Sequence, residues 1–176
     1  MTKLALLRGI NVGGHNKLLK ADLISIIEEC GGHNVQTYIQ SGNILFDHRQ
    51  ECMELESQIK DAIKVNYGIE VPVLVIEGDD FLELVANNPF EEDVKQLHAT
   101  LLKERPSEAL VQNLKAIQYA PDEYSQIGKA VYIFCKGAYH ETKLSNNAIE
   151  QQLQIPATTR TWKTILKLKE LLEVRP

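Results

Sequence analysis

Cysteine is scarce in this chain and long apolar runs are missing, and each shortage excludes a class of protein. Cys30, Cys52 and Cys135 are odd in number, far apart and never in a CxxC pair. That excludes a disulfide framework and suits reduced thiols in a reducing compartment. Between Met1-Thr2-Lys3 and Arg8 lies only a short apolar run, too brief for a secretory core or a membrane span. The expectation is a cytoplasmic protein with no membrane partner. His15, His33, His48, His98 and His140 lack ligand spacing, and His140-Glu141 is not followed by a second histidine at the zincin interval. No metal site is expected, and no cofactor fingerprint is present. There is no GxSxG elbow either, so Ser41 is a nucleophile candidate without an assigned base.

What is present is an ordinary globular composition with an uneven charge. The 176 residues are 44% apolar and 24% charged, enough for one sizeable domain or two small subdomains. Net charge is -5. Residues 1 to 20 hold four cations (Lys3, Arg8, Lys17, Lys20) and no acid, and residues 157 to 176 hold five cations against two acids. The body between them is strongly acidic, which disfavours non-specific coating of nucleic acid. The cationic ends are compatible with an anion site, or merely with a solvated surface. The acidic groups Asp79-Asp80 and Glu91-Glu92-Asp93 fall where solvation or helix-dipole pairing explains them.

Periodicity spells a regular order of elements. Residues 3 to 8 predict a buried strand, and Leu19, Leu23, Ile26, Ile27 and Cys30 then recur at helical spacing until Gly31-Gly32. NVQTYIQ and NILFDH predict two strands joined across Ser41-Gly42, with Gln40 facing Asn43, Ile39 facing Ile44 and Tyr38 facing Leu45. In that register Val35, Thr37, Ile39, Ile44 and Phe46 form the core face, and Gln36, Tyr38, Gln40 and Asn43 the polar one. A helix over 52 to 66 and a strand over 71 to 76 complete β-α-β-β-α-β. After a helical bridge over 78 to 95, the same order is expected again. QLHATLL is a strand, Pro106 to Leu114 a helix, Ala116 to Ala120 and Ala130 to Cys135 two strands. A helix near 144 to 153, an extended piece at 155 to 158 and a last helix from about 160 follow. The expected fold class is α+β: two tandem ferredoxin-like subdomains, 1–77 and 96–176, the second with a C-terminal helix.

The stretch LLRGINVGGHNKLL, residues 6 to 19, sits between the first strand and the first helix. Gly9 and Gly14 have P-loop spacing, but His15-Asn16 stand where Lys and a hydroxyl belong. Gly9, Gly13 and Gly14 also give the wrong intervals for a dinucleotide turn. What remains is a glycine-rich connection with backbone amides that could nest an anion, or a tight turn that needs small residues. Near the other end, ATTRTWKT offers Thr158 or Thr159 as an N-cap beside Arg160 and Lys163, and Trp162 as a core anchor.

RGINVGG, TYIQSGN, NPF, TKL and ATTRTWKT, in that order, resemble a bacterial family of uncharacterised proteins classed as a domain of unknown function. The resemblance covers essentially the whole chain. It implies a cytoplasmic α+β protein with ferredoxin-like subdomains and supplies no mechanism. One position departs from the family's usual pattern: Thr161 stands where an Asn is usual before the Trp. The reading that follows is a small anionic or phosphorylated ligand held in a polar cleft between the halves. Its expected residues are Arg8, Asn11, Gly13, Gly14, Lys17, Tyr38, Gln40, Ser41, Asn43, Lys143, Thr159, Arg160 and Lys163. The alternatives are an RNA or single-stranded nucleic-acid-binding module and a protein-interaction domain without catalysis. Against the former, TYIQSGN and NILFDH lack the aromatic and basic density of an RNA-binding strand.

Overall fold

The computed structural model describes residues 1–91 and 94–175, so Glu92 and Asp93 of the acidic run lie outside the described residues. The architecture is mixed α+β, with two four-stranded antiparallel sheets and, among the described residues, six α-helices. The chain divides into two compact units, Met1–Phe81 and Leu82–Val174.

In the first unit, β1 (Thr2–Leu7), α1 (Lys20–Glu29), β2 (His33–Tyr38), β3 (Asn43–Asp47), α2 (Cys52–Tyr67) and β4 (Val73–Glu77) build a sheet of order β2-β3-β1-β4. One face, carrying Ala5, Leu7, Ile44, Phe46, Val73 and Val75, packs with Leu23, Ile26 and Ile27 of α1 and with Leu55, Ile59 and Ile63 of α2. The expected stripe holds except at its start, since Leu18 is buried and Leu19 is exposed. Leu19 precedes the helix proper, and its N–H is taken by Asp22 Oδ2 at 2.7 Å. α3 (Gly78–Ala86) leaves β4 with no loop between them.

The second unit repeats this plan with β5 (Leu97–Leu102), α4 (Glu108–Lys115), β6 (Glu123–Ile127), β7 (Ala130–Phe134), α5 (Asn146–Leu153) and β8 (Ala157–Thr161), sheet order β6-β7-β5-β8. α6 (Trp162–Glu173) again leaves the last strand without a loop. On one face Leu102, Val131, Ile133 and Ala157 pack with Leu114, Ile149 and Leu153. On the other, Tyr132 meets Trp162 edge-on at 6.2 Å and donates its hydroxyl to the Leu84 carbonyl at 2.6 Å.

The repetition extends to single backbone hydrogen bonds. Leu7 N–H donates to the Gly42 carbonyl (2.7 Å) and Arg8 N–H to the Pro72 carbonyl (3.0 Å). At the same places of the second unit, Leu102 N–H donates to the Lys129 carbonyl (2.8 Å) and Lys103 N–H to the Pro156 carbonyl (2.9 Å). Both edge strands are also covered alike. Glu56 of α2 accepts the outward Val75 N–H (3.0 Å) and Glu150 of α5 accepts that of Ala157 (2.7 Å). A carboxylate spent on an edge amide removes a donor that would otherwise template strand addition.

Four local expectations are corrected. The first hairpin turns through four residues, 39–42, because Tyr38 pairs with Asn43 and Thr37 with Ile44, and β2 carries a bulge between His33 and Gln36. The shift by two preserves the faces, so Ile44 and Phe46 stay in the core, but Ile39 leaves the strand and is 44% exposed. The expected two-residue turn occurs instead in the second unit, at Gly128-Lys129, where Ile127 pairs with Ala130. There the strand expected over 116–120 is the end of α4 and a turn, since Ala116 N–H bonds back to Gln112. The true partner of β7 is EYSQI, whose polar residues suit an edge strand. α4 begins at Glu108 with Ser107 as N-cap, leaving Pro106 outside. Finally, Thr158 and Thr159 lie in β8, and the cap of α6 is Thr161, whose Oγ1 accepts the Thr164 N–H at 3.3 Å. Threonine and asparagine both cap helices, so the departure at 161 keeps the function of the position.

Candidate functional site

The loop after β1 is folded rather than open. Val12 and His15 form a bridge around Gly13-Gly14, both at positive φ (58° and 80°), as a type I′ turn requires. His15 N–H donates to the Val12 carbonyl (3.0 Å) and Asn11 N–H to the Asn16 carbonyl (3.1 Å). Of the amides expected to lie open, those of Arg8, Asn11, His15 and Leu18 are therefore used internally.

Asn11 is the hub of this end of the first sheet. It sits at φ 55°, a conformation asparagine tolerates. Its Oδ1 accepts the Leu18 N–H (3.0 Å), while its Nδ2 donates to the Leu18 carbonyl (2.9 Å) and to the Gln40 carbonyl (2.7 Å). The last bond crosses from the opening loop to the 39–42 turn. That turn is drawn against β1 by the Leu7–Gly42 bond, and Gly42 fits only because it has no side chain. A Cβ there would lie 2.6 Å from Leu7 Cβ and 3.1 Å from Ile10 Cδ1, at φ 76°. Asn43 is fully buried, and its amide donates to the Tyr38 carbonyl (3.2 Å) and Ser41 Oγ (2.8 Å). Asn11 and Asn43 are thus ties of the frame.

The RGINVGG and TYIQSGN segments consequently meet at one end of one sheet, where Arg8, Lys17, Tyr38, Gln40 and Ser41 all have some exposure. The sequence proposed these residues but missed three apolar ones beside them. Val12, Leu19 and Ile39 are 66%, 54% and 44% exposed. Ile39 adopts φ 49°, a region that costs a β-branched residue real strain.

The expected residues of the second unit are used differently. Thr159 Oγ1 bonds Thr100 Oγ1 (2.7 Å) and Asn146 Oδ1 (3.0 Å), and so belongs to the interior. Arg160 donates to Thr158 Oγ1 (2.7 Å) and to the Thr159 carbonyl (3.1 Å). Lys143 and Lys163 are exposed. Through the repeat, Arg160 corresponds to Ile76 in β4, toward the far end of that strand from the turn that receives Arg8 N–H. The position matching Arg8 is Lys103.

Each unit also carries an internal polar node that sequence reasoning missed. In the first, Lys3 is fully buried on the core face of β1, ion-paired to Glu77, its register partner on β4. Cys52, the first residue of α2, donates its thiol to Glu77 (3.4 Å). Burial, and then the Glu77 charge, push that thiol up to about 11, so Cys52 is no nucleophile at neutral pH. In the second, His98 occupies the place of Lys3, Thr161 that of Glu77 and Asn146 that of Cys52. His98 stacks on Tyr139 at 4.4 Å, and burial depresses its imidazole below the ordinary 6.5.

A depression of about 450 Å³ is lined by Met1, Gly31, His33, Asp47, His48 and Arg49. Its walls are wired to one another. His48 Nδ1 accepts the Gln50 N–H while Nε2 faces the Cys30 carbonyl, and Asp47 accepts from Thr2 and Asn34. Its central groups are therefore already committed.

The chain belongs to the family described as Protein of unknown function (DUF1697), whose model matches residues 1–132. It is similar in structure to the conserved bacterial protein SP0830 from Streptococcus pneumoniae, with a TM-score of 0.77 and 23% identity over 97% of this chain and 98% of that one. At that identity the likeness is one of fold alone. No curated protein matches the chain. Among the described residues, no helix is long and apolar enough to cross a membrane.

Proposed function

We propose that the protein is a cytoplasmic binder of a small anionic ligand, built on two ferredoxin-like repeats each extended by a helix, with its anion site at the end of the first sheet. The observation that carries this reading is the Asn11 clamp, because Nδ2 joins the opening loop to the Gln40 carbonyl at 2.7 Å and so brings a cation-bearing segment and an amide-bearing one to one place. Arg8 and Lys17 supply positive charge at this end of the sheet. Gly13 and Gly14, at positive φ, make the tight turn of this loop, and Tyr38, Gln40 and Ser41 add neutral hydrogen-bonding groups. Binding is what these groups support, and no reaction is assigned to them.

An RNA platform draws no support from the sheets. The central strands β1, β3, β5 and β7 are buried along nearly their whole length, and an open stacking face needs the reverse.

The test is calorimetric titration with inorganic phosphate at low ionic strength. Binding is expected, and Arg8→Ala should weaken it by about 1.5 to 3 kcal/mol, the range for a hydrogen bond to a charged group. Undiminished binding by an Arg8→Ala, Lys17→Ala double variant would remove the site from this place.

A further inference from the structure

We infer that the ligand of this site is a small soluble phosphomonoester carrying an apolar group, an aromatic ring or a short aliphatic chain. The inference rests on the anion-site reading above and adds the identity of the other half of the ligand.

The exposed apolar residues of the first unit's loops fall beside the Asn11 clamp. Asn11 hydrogen-bonds Leu18 and Gln40, and the three exposed apolar residues are the immediate chain neighbours of that clamp: Val12 follows Asn11, Leu19 follows Leu18, and Ile39 precedes Gln40. Their backbones are anchored by the same bonds that hold the cationic loop. In the rest of the first unit, the exposed large apolar residues on helices, such as Met53 and Val65 of α2, are single side chains, which is ordinary for a protein surface.

Ile39 adds an independent reason. At φ 49° an isoleucine is strained where glycine or asparagine would be at ease, and at 44% exposure its side chain gains little from the core. Strain persisting without a packing return points to a contact made with something else. Charge then selects the class of ligand. Lys17 and Lys20 stand in the same stretch of chain as Val12 and Leu19, with the Asp22 carboxylate held on the Leu19 N–H, so an anion with an apolar body suits both characters of the loop, whereas bare phosphate leaves Val12, Leu19 and Ile39 in water.

The experiment compares inorganic phosphate, phenyl phosphate and phenol by calorimetric titration of the full chain. Phenyl phosphate is expected to bind at least tenfold more tightly than phosphate, while phenol alone gives no heat of binding. Tenfold is about 1.4 kcal/mol, the burial of roughly 55 Å² of apolar surface at about 25 cal/mol per Å². A Val12→Ser, Leu19→Ser double variant, altered only at exposed positions, should lose that advantage and keep its affinity for phosphate. Equal affinity for the two anions, or an advantage that survives the double variant, overturns the inference and leaves the anion site standing. Failure of both anions to bind the unmodified chain overturns the anion site itself. Co-sedimentation with phosphatidylserine vesicles, expected to be absent, would overturn the assignment to a soluble ligand.

Discussion

The two units place different chemistry at the same point of the same plan. Where the first strand of each sheet starts, the first unit buries Lys3 against Glu77 and Cys52, and the second buries His98 against Tyr139, with Thr100, Thr159 and Asn146 bonded beside it. The strands that carry both nodes follow the same plan, down to equivalent bonds at their far ends from Leu7 and Leu102 and from Arg8 and Lys103. A topology of this kind fixes which positions face the interior and which strand ends meet a turn. It leaves open whether an interior position is charged. The loops differ where the sheets do not: the 39–42 turn and the Gly128-Lys129 turn join equivalent strands, yet among the described residues only the first is clamped to a long glycine-rich loop.

The largest expected effect breaks the contrast between the nodes. Glu77→Ala leaves the Lys3 ammonium fully buried with its carboxylate gone, and should cost about 3 to 5 kcal/mol by chemical denaturation. The matching change in the second unit, Thr161→Ala, removes only a helix cap and should cost about 1 kcal/mol. Similar losses for the two would mean that the Lys3–Glu77 pair is no more than a surface ion pair.

A smaller effect sharpens the contrast between the turns. Gly42→Ala places a Cβ against Leu7 at positive φ and should cost about 3 kcal/mol, together with any affinity for phosphate. Gly128 shares the positive φ, 57°, but its Cβ would meet nothing within 4 Å, so Gly128→Ala should cost about 1 kcal/mol and spare binding. Thermal melts and the phosphate titration read both quantities. Equal costs would show that the close approach of Gly42 to β1 is not what sets the turn.

The gentlest probe is pH. Burial holds His98 below 6.5 in the folded chain, against a weaker opposing hydrogen bond to the Gln96 carbonyl. The unfolded chain therefore takes up the proton first, so this stabilisation is complete above pH 6.5 and is lost as pH falls through the folded value. For Asp47, burial works against the carboxylate, but hydrogen bonds from Asn34 and Thr2 outweigh it and hold the group below 3.8. Its contribution is kept until pH falls below that value. Hydrogen-exchange protection should thus decline in β5 and β7 before β1 and β3 as the solution is taken from about pH 7 to about pH 4. A simultaneous decline, or the reverse order, contradicts the assignment.

The order of elements is legible in local patterns of the chain. The 3.6-residue stripe of Leu23, Ile26 and Ile27, the apolar strands at 4–7 and 130–134, and the stop at Gly31-Gly32 are local signals, set by side-chain periodicity and backbone freedom. The sequence also singled out the opening loop, where glycines, asparagines and cations crowd between a strand and a helix. The rest depended on contacts between distant residues. The register of the first hairpin depended on Gly42 docking under β1, a contact between residues 35 positions apart that no local pattern encodes. β6 was hidden because an edge strand with polar residues carries no alternating apolar signal, while AIQYA imitates one. Asn11 looked like a ligand group and is a clamp, and Lys3 looked like a surface cation and is buried, since both roles depend on which distant partner the fold supplies. Ile39, read as core, became the most exposed residue of its expected face. A shift of two residues preserved every face in the strand and moved this one side chain out of it.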